Sequence, residues 1–249
     1  MSEVHSSKWL YIDVGNSRTK VAASDGTVVR VLGCIDTPEE LTPWLEGVEA
    51  VLVASVGHDD WLSGLQRLMG RLAIPLFHAE VQESFGSIKN CYDNPLQMGV
   101  DRWLAVIGAA QLTDTAFVVL DFGTAINVEF VDSQHHYLGG WITPGISLMY
   151  KALFGGTSKV RGNISEHAGL APGTTTQKAV DAGCLAAALG VLEQASVQGS
   201  KMAVNPTIFV CGGDYPRIQS LVRTKVQHEP DLVFLGMQKY LEQIRGQTD

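Results

Sequence analysis

Two short segments of this chain repeat one design. "YIDVGNSRTK" spans residues 11–20, and "VLDFGTAINV" spans residues 119–128. Each is an apolar run, then Asp, any residue, Gly, a small polar residue, and a second strand-like run. A short apolar run bounded by turn residues reads as a buried strand. A strand that meets Asp-x-Gly and resumes as a strand is a hairpin. Two such hairpins, far apart in sequence, predict two similar lobes that each open on this element.

The pattern around them agrees. "SDGT" (24–27) carries the Asp-Gly signal of a further tight hairpin. "TPEELTPWLEGV" (37–48) reads as a helix, with Thr37 as cap, Pro38 in the first turn and Glu39 and Glu40 at the positive end of its dipole. "AVLVASVG" (50–57) reads as a buried strand, "DDWLSGLQRLMGRL" as a helix and "IPLFHA" as a strand. Near residue 114 the order restarts: "TAFVVLDFG", "TAINVEFVD" and "YLGGWITPG" are three strands, with His135 and His136 in a solvated turn. Helices follow around 145–154 and 176–196, then a strand in "PTIFVCGGD" and a helix in "PRIQSLVRT". The expected class is α/β, each lobe a mixed sheet with helices packed on it. The expected domains are 1–114, with the first Asp-x-Gly hairpin, and 115–249, with the second.

Composition narrows the partners. The 249 residues carry a net charge of −8, and no block of Lys and Arg neutralises a nucleic-acid backbone. No apolar run reaches the roughly 18 residues of a membrane span, and "MSEVHSSKW" lacks the form of a secretion signal. The expectation is a cytoplasmic protein with no nucleic-acid or membrane partner. Cys34, Cys91, Cys184 and Cys211 have no C-x-x-C spacing, which argues against zinc or a disulfide scaffold and for buried reduced thiols.

The hairpins suit phosphate. Gly15 removes the Cβ that would keep an anion away. Asn16, Ser17 and the turn N–H groups donate to phosphate oxygens, Asp13 can hold a metal ion or its water, and Lys20 adds positive charge. Asp121, Gly123 and Thr124 offer the same chemistry from the second copy. One Asp-x-Gly is a common turn, but two copies, each opening a lobe, favour phosphate binding. With no G-x-x-x-x-G-K-[ST] and no G-x-G-x-x-G after a strand, the grip is neither the P-loop nor the Rossmann kind. "FVCGGDYP" (209–216), with Gly212 and Gly213, fits either a loop close to an adenosine or a plain turn. In "CYDNPLQMGVDRWLAVIGAAQL" (91–112), Asp101 is either a helix cap or a base for an acceptor hydroxyl, and Arg102 pairs with an acid or binds an anionic substrate. The apolar helix over 102–112 is buried, in the core or against another subunit.

"DVGNSRTK", "YDNPLQMGVDRW", "DFGTA" and "GGWITPG" resemble, in order and spacing, the motifs of type III pantothenate kinases. Those belong to the acetate and sugar kinase, heat-shock ATPase and actin superfamily. The resemblance implies two ribonuclease H-like lobes with the active-site cleft between them. It implies ATP with magnesium, a monovalent cation (potassium or ammonium), pantothenate as acceptor, and a homodimer. It implies that Asp13, Val14, Gly15, Asn16, Ser17, Arg18, Thr19 and Lys20 form the first phosphate motif. Asp101 would be the base, with Tyr92, Gly99, Val100, Asp101, Arg102 and Thr176 around pantothenate. Asp121 would hold the monovalent cation and Thr124 would contact ATP. Three departures stand out: Thr175 precedes Thr176 where Asn is common, Glu129 replaces an Asp, and Met98 replaces a Leu. Another small-alcohol kinase, or a non-catalytic accessory relative, remains an alternative reading.

Overall fold

The first apolar run forms β1 (Trp9–Val14), and β2 (Thr19–Ser24) returns beside it antiparallel. The computed structural model of the chain describes residues 8–57, 59–156 and 169–246; the Met1–Ser7 segment judged for a secretion signal lies outside them. β3 (Val29–Ile35) continues antiparallel through the Asp-Gly turn. There the Asp25 Oδ1 accepts from the Thr27 hydroxyl at 2.7 Å and from the Thr27 and Val28 amides at 2.8 and 3.1 Å. Those bonds, the Thr27 hydroxyl foremost, hold the Asp25 carboxyl down at about 2. β4 (Ala50–Ser55) lies parallel on the other side of β1, and β5 (Leu76–His78) parallel to β4. The sheet order is β3-β2-β1-β4-β5.

One face of this sheet places Leu10, Ile12, Val14 and Val51 in a core with Leu65, Leu68 and Met69 of α1 (Asp59–Leu72). The opposite face is covered too, and Tyr11 and Leu52 are fully buried. A strand buried on both faces has no reason to alternate, so β1 and β4 read as continuous apolar runs. Beyond β5 come a small hairpin, β6 (Ser84–Phe85) with β7 (Ile88–Lys89), and α2 (Val100–Ala109).

The second sheet repeats the first. β8 (Phe117–Phe122), β9 (Ala125–Val131) and β10 (Tyr137–Pro144) run antiparallel, while β11 (Thr207–Cys211) and β12 (Gln227–His228) continue parallel on the other side of β8. Its order, β10-β9-β8-β11-β12, matches the first sheet strand for strand. This is the ribonuclease H-like arrangement, present twice. α3 (Ile146–Gly156) and α4 (Thr176–Met202) belong to this half, and Leu185, Ala188 and Leu192 of α4 join Val118, Leu120 and Ile126 in its core. α4 is long and apolar enough to cross a membrane by length and composition; here one side of it completes a core instead.

The chain divides into two compact units, 1–112 with 231–249, and 113–230. The expected second domain of 115–249 therefore loses its last helix, α5 (Leu232–Arg245), to the first unit. The reason is packing: α5 lies against α2, and the two cross so closely that a Cβ on Gly108 would meet the Leu232 carbonyl and one on Gly236 the Leu104 carbonyl. The apolar helix that could have faced another subunit is thus buried within its own chain.

Three local expectations change. Residues 38–44 form a 3-10 helix, because Pro43 inside it has no N–H for an α-helical ladder. Thr37 is its N-cap, as expected, and Glu40 completes a capping box, its Oε1 accepting from the amides of Asp36 and Thr37 at 3.2 and 3.0 Å. "PRIQSLVRT" yields two 3-10 turns, Tyr215–Arg217 and Gln219–Leu221. Of the four thiols, Cys184 and Cys211 are buried, but Cys34 and Cys91 are exposed.

Candidate active site

In the first unit, Val14 and Thr19 are the last pair of the β1–β2 ladder, so Gly15 to Arg18 make the turn. The Gly15 amide donates to the Arg18 carbonyl at 3.1 Å and closes it. Asn16, Ser17 and Arg18 are exposed there, whereas Thr19 is buried. Asp13 pairs directly with Lys20 across the strands, so the carboxylate and the ammonium share one face of the hairpin. In the second unit the corresponding pair is Asp121 with Asn127, so this hairpin carries no such cation.

The second hairpin is braced by two other motifs. The Gly123 amide donates to the Ala125 carbonyl at 3.0 Å, and the Gly145 amide, from the end of "GGWITPG", donates to the Thr124 carbonyl at 3.0 Å. Gly212 stands at φ +93°, a left-handed conformation that costs glycine little. A Cβ there would run into the Asp121 Oδ1 and come within 2.5 Å of the Phe122 backbone. The Asp214 amide then donates to the Phe122 carbonyl at 2.8 Å. The Gly-Gly loop therefore lies against the second Asp-x-Gly turn, which the sequence does not reveal. Gly213, next in the loop, is exposed.

The segment before α2, expected to serve an acceptor, belongs to the first unit. Asn94 accepts from the Leu96 amide at 3.1 Å and opens a short 3-10 turn, Pro95–Gln97. Gly99 then precedes α2, whose first turn holds Val100 and Asp101. The Asp101 Oδ1 accepts from the Arg102 amide at 2.9 Å and lies over Gly99, 2.6 Å from where a Cβ would stand. The negative carboxylate also suits the positive end of the helix. Arg102 is only 7% exposed, and its Nη1 donates to the Tyr92 hydroxyl at 3.1 Å. Tyr92, Gly99, Asp101 and Arg102 are thus brought together.

Thr176 is the first residue of α4 and is exposed. Thr175, one of the three departures, is the cap, its hydroxyl accepting from the Lys178 amide at 3.3 Å; Thr caps a helix as Asn does. Thr176 borders an apolar groove of about 560 Å³ lined also by Pro144, Met149, Leu153, Val180 and Cys184. Burial, and then the Asp181 carboxylate, push the Cys184 thiol up, which keeps it a protonated wall rather than a nucleophile. Behind it the Tyr150 hydroxyl donates to Asp181 at 2.5 Å, and Gln177 Nε2 donates to the same oxygen at 2.7 Å. Burial foremost, helped by that hydrogen bond, pushes the Tyr150 hydroxyl well above the usual phenol range.

Glu129, the second departure, is 1% exposed and accepts from the Tyr137 hydroxyl at 2.6 Å. Its carboxylate is engaged inside the second sheet. Met98, the third departure, is buried, as Leu would be. Among the described residues, no three His, Cys, Asp or Glu side chains gather as a metal site. A cation held by Asp13 or Asp121 would therefore draw further ligands from water, backbone or phosphate.

Comparison with known proteins decides the family. The model of the type III pantothenate kinase family matches residues 9–198. The chain belongs to that family. A type III pantothenate kinase of Ectopseudomonas mendocina (strain ymp) is 32% identical over 240 residues, 92% of this chain and 96% of that protein. One from Pseudoalteromonas atlantica is 33% identical over 239 residues, 93% of this chain and 96% of that one. Among solved structures, a Campylobacter jejuni protein described as a Baf family transcriptional activator superposes with a TM-score of 0.59 at 20% identity, covering 95% of this chain and 99% of that one. The ADPNP-bound activator of 2-hydroxyisocaproyl-CoA dehydratase from Clostridium difficile gives 0.52 at 11% identity, covering 96% of each. These two likenesses concern the fold. Each of the four quoted motifs has a place in the fold: the two hairpins, the loop leading into α2, and the β10 end that braces the second hairpin.

Proposed function

We propose that this kinase transfers the γ-phosphoryl of ATP to the 4′-hydroxyl of pantothenate, the first step towards coenzyme A, with Asp101 as the base. The observation that carries the reading is the joined patch of Tyr92, Gly99, Asp101 and Arg102. It sets a carboxylate at a helix start, beside a buried guanidinium that suits an anionic acceptor. Phosphoryl transfer has a loose transition state, so positioning and charge neutralisation dominate. Asp101 orients the hydroxyl and takes its proton as the bond to phosphorus forms. Residues Asp13 to Lys20 bind ATP phosphates through turn N–H groups, the Asn16 and Ser17 side chains and the Lys20 ammonium. Thr124 contacts ATP, Gly212 and Gly213 pass the adenosine, and Thr176 and Val100 contact pantothenate.

Two cations fit this donor set. Asp13 would hold magnesium through water, and Asp121 would hold potassium or ammonium, which would supply positive charge where the second hairpin has Asn127 instead of a lysine. The same reading assigns a homodimer in the cytoplasm.

The test is phosphorylation of pantothenate by purified protein with Mg-ATP, in potassium or sodium, for the wild type and Asp101→Asn. Potassium-dependent product is expected from the wild type. The variant should lose about a hundred- to ten-thousandfold in kcat while keeping its melting temperature. ATP binding without product in either salt would point to another acceptor alcohol or a non-catalytic role.

A further inference from the structure

The acceptor loop is tied down by one residue outside every motif above. The Asn90 Oδ1 accepts from the Tyr92 amide at 3.0 Å. Its Nδ2 donates to the Gln82 carbonyl at 3.2 Å and lies 3.8 Å from the Met98 sulfur. The Asn90 amide itself donates to the Glu83 carbonyl at 2.9 Å. One half-buried carboxamide therefore holds the chain before the β6–β7 hairpin, the start of the loop, and the buried residue that precedes Gly99. Tyr92 is consequently fixed at two points, its backbone by Asn90 and its hydroxyl by Arg102. Only an amide meets these demands together. An aspartate would still accept from Tyr92 but would set a second acceptor against the Gln82 carbonyl, and an alanine would leave both backbone groups to find other partners.

We propose that Asn90 is a positioning residue of the acceptor site, which places the Tyr92 phenol against Arg102 beside Asp101. The identity of the substrate rests on the function proposed above; the placement of Tyr92 does not.

Two measurements separate these. Hydrogen exchange at the Tyr92 amide needs no substrate: it should be slow in the wild type and in Asn90→Asp, and faster in Asn90→Ala. In steady-state phosphorylation of pantothenate, Asn90→Ala should raise KM about tenfold, the scale of one or two lost hydrogen bonds, with a much smaller change in kcat. Asn90→Asp should recover part of that loss. Because the effect passes through Tyr92, Asn90→Ala should add little in a Tyr92→Phe background. Unchanged Tyr92 exchange in Asn90→Ala, or an equal KM penalty in both backgrounds, overturns the proposal. A wild type that leaves pantothenate unphosphorylated overturns the substrate, while the exchange result still decides the placement.

Discussion

Gly99 has φ −62° and ψ 132°, backbone angles that any residue adopts, so its missing side chain needs a cause outside the backbone. That cause is Asp101, whose Oδ1 stands 2.6 Å from the place a Cβ would take. Alanine at 99 would leave the helix start intact and push the carboxylate aside. Misplacing a reacting group by about an ångström costs on the order of a hundredfold. Gly99→Ala should therefore lower kcat by about ten- to a hundredfold, with a melting temperature close to that of the wild type. A crystal structure of the variant should show the Asp101 carboxylate displaced; full activity would mean that its present position is not the one used. At this scale the sequence showed Asp101 and Gly99 as neighbours in a motif. It gave no sign of why the glycine is there, because the contact depends on a rotamer. Asn90 is similarly silent in sequence: an Asn before a loop is ordinary, and its three partners lie up to eight residues away.

Between elements, the closest approach is the crossing of α2 and α5. Both glycines at the crossing face backbone carbonyls, which cannot swing away as a side-chain tip would. Gly108→Ala or Gly236→Ala must part the helices, and overpacking of this kind costs about 1–3 kcal/mol or more. Urea unfolding should show that loss for either variant, and the double variant should lose less than the sum, since one separation relieves both clashes. Strict additivity would show that the helices do not share this contact. The apolar character of α2 was plain in the sequence, from Trp103 through Ala109. Its partner was not, because an apolar helix fits a second subunit or its own chain equally well. Repetition of the hairpin was legible for the opposite reason: strand, turn and strand are set by neighbours a few residues apart, and both copies folded into the same five-stranded order. The 3-10 segment at 38–44 escaped notice because its helix signals were real and a single Pro43 outweighed them.

At the level of the whole molecule, the two units differ in how the chain builds them. Residues 113–230 are continuous, with a core of their own in which Leu120, Phe122, Val128, Leu185 and Phe154 pack together. The other unit is assembled from 1–112 and 231–249, and its α2 is covered by a helix that arrives last in sequence. This last helix buries Leu232, Phe234, Met237 and Leu241, apolar residues that would suit either unit, so sequence alone assigns it to the lobe it follows. The physical consequence is an asymmetry between fragments. A fragment of 113–230 keeps every strand of its sheet and should unfold in urea as one cooperative transition. A fragment of 1–112 leaves Leu104 and Gly108 of α2 without α5 against them, opening an apolar helix face that water does not tolerate as a stable surface. It should lack a cooperative transition, or self-associate, until a peptide of residues 231–249 is added to cover α2. Circular dichroism of the mixture against urea measures this, and Gly236→Ala in the peptide should weaken the rescue. A cooperative transition in 1–112 alone would mean that α5 merely decorates a unit already complete.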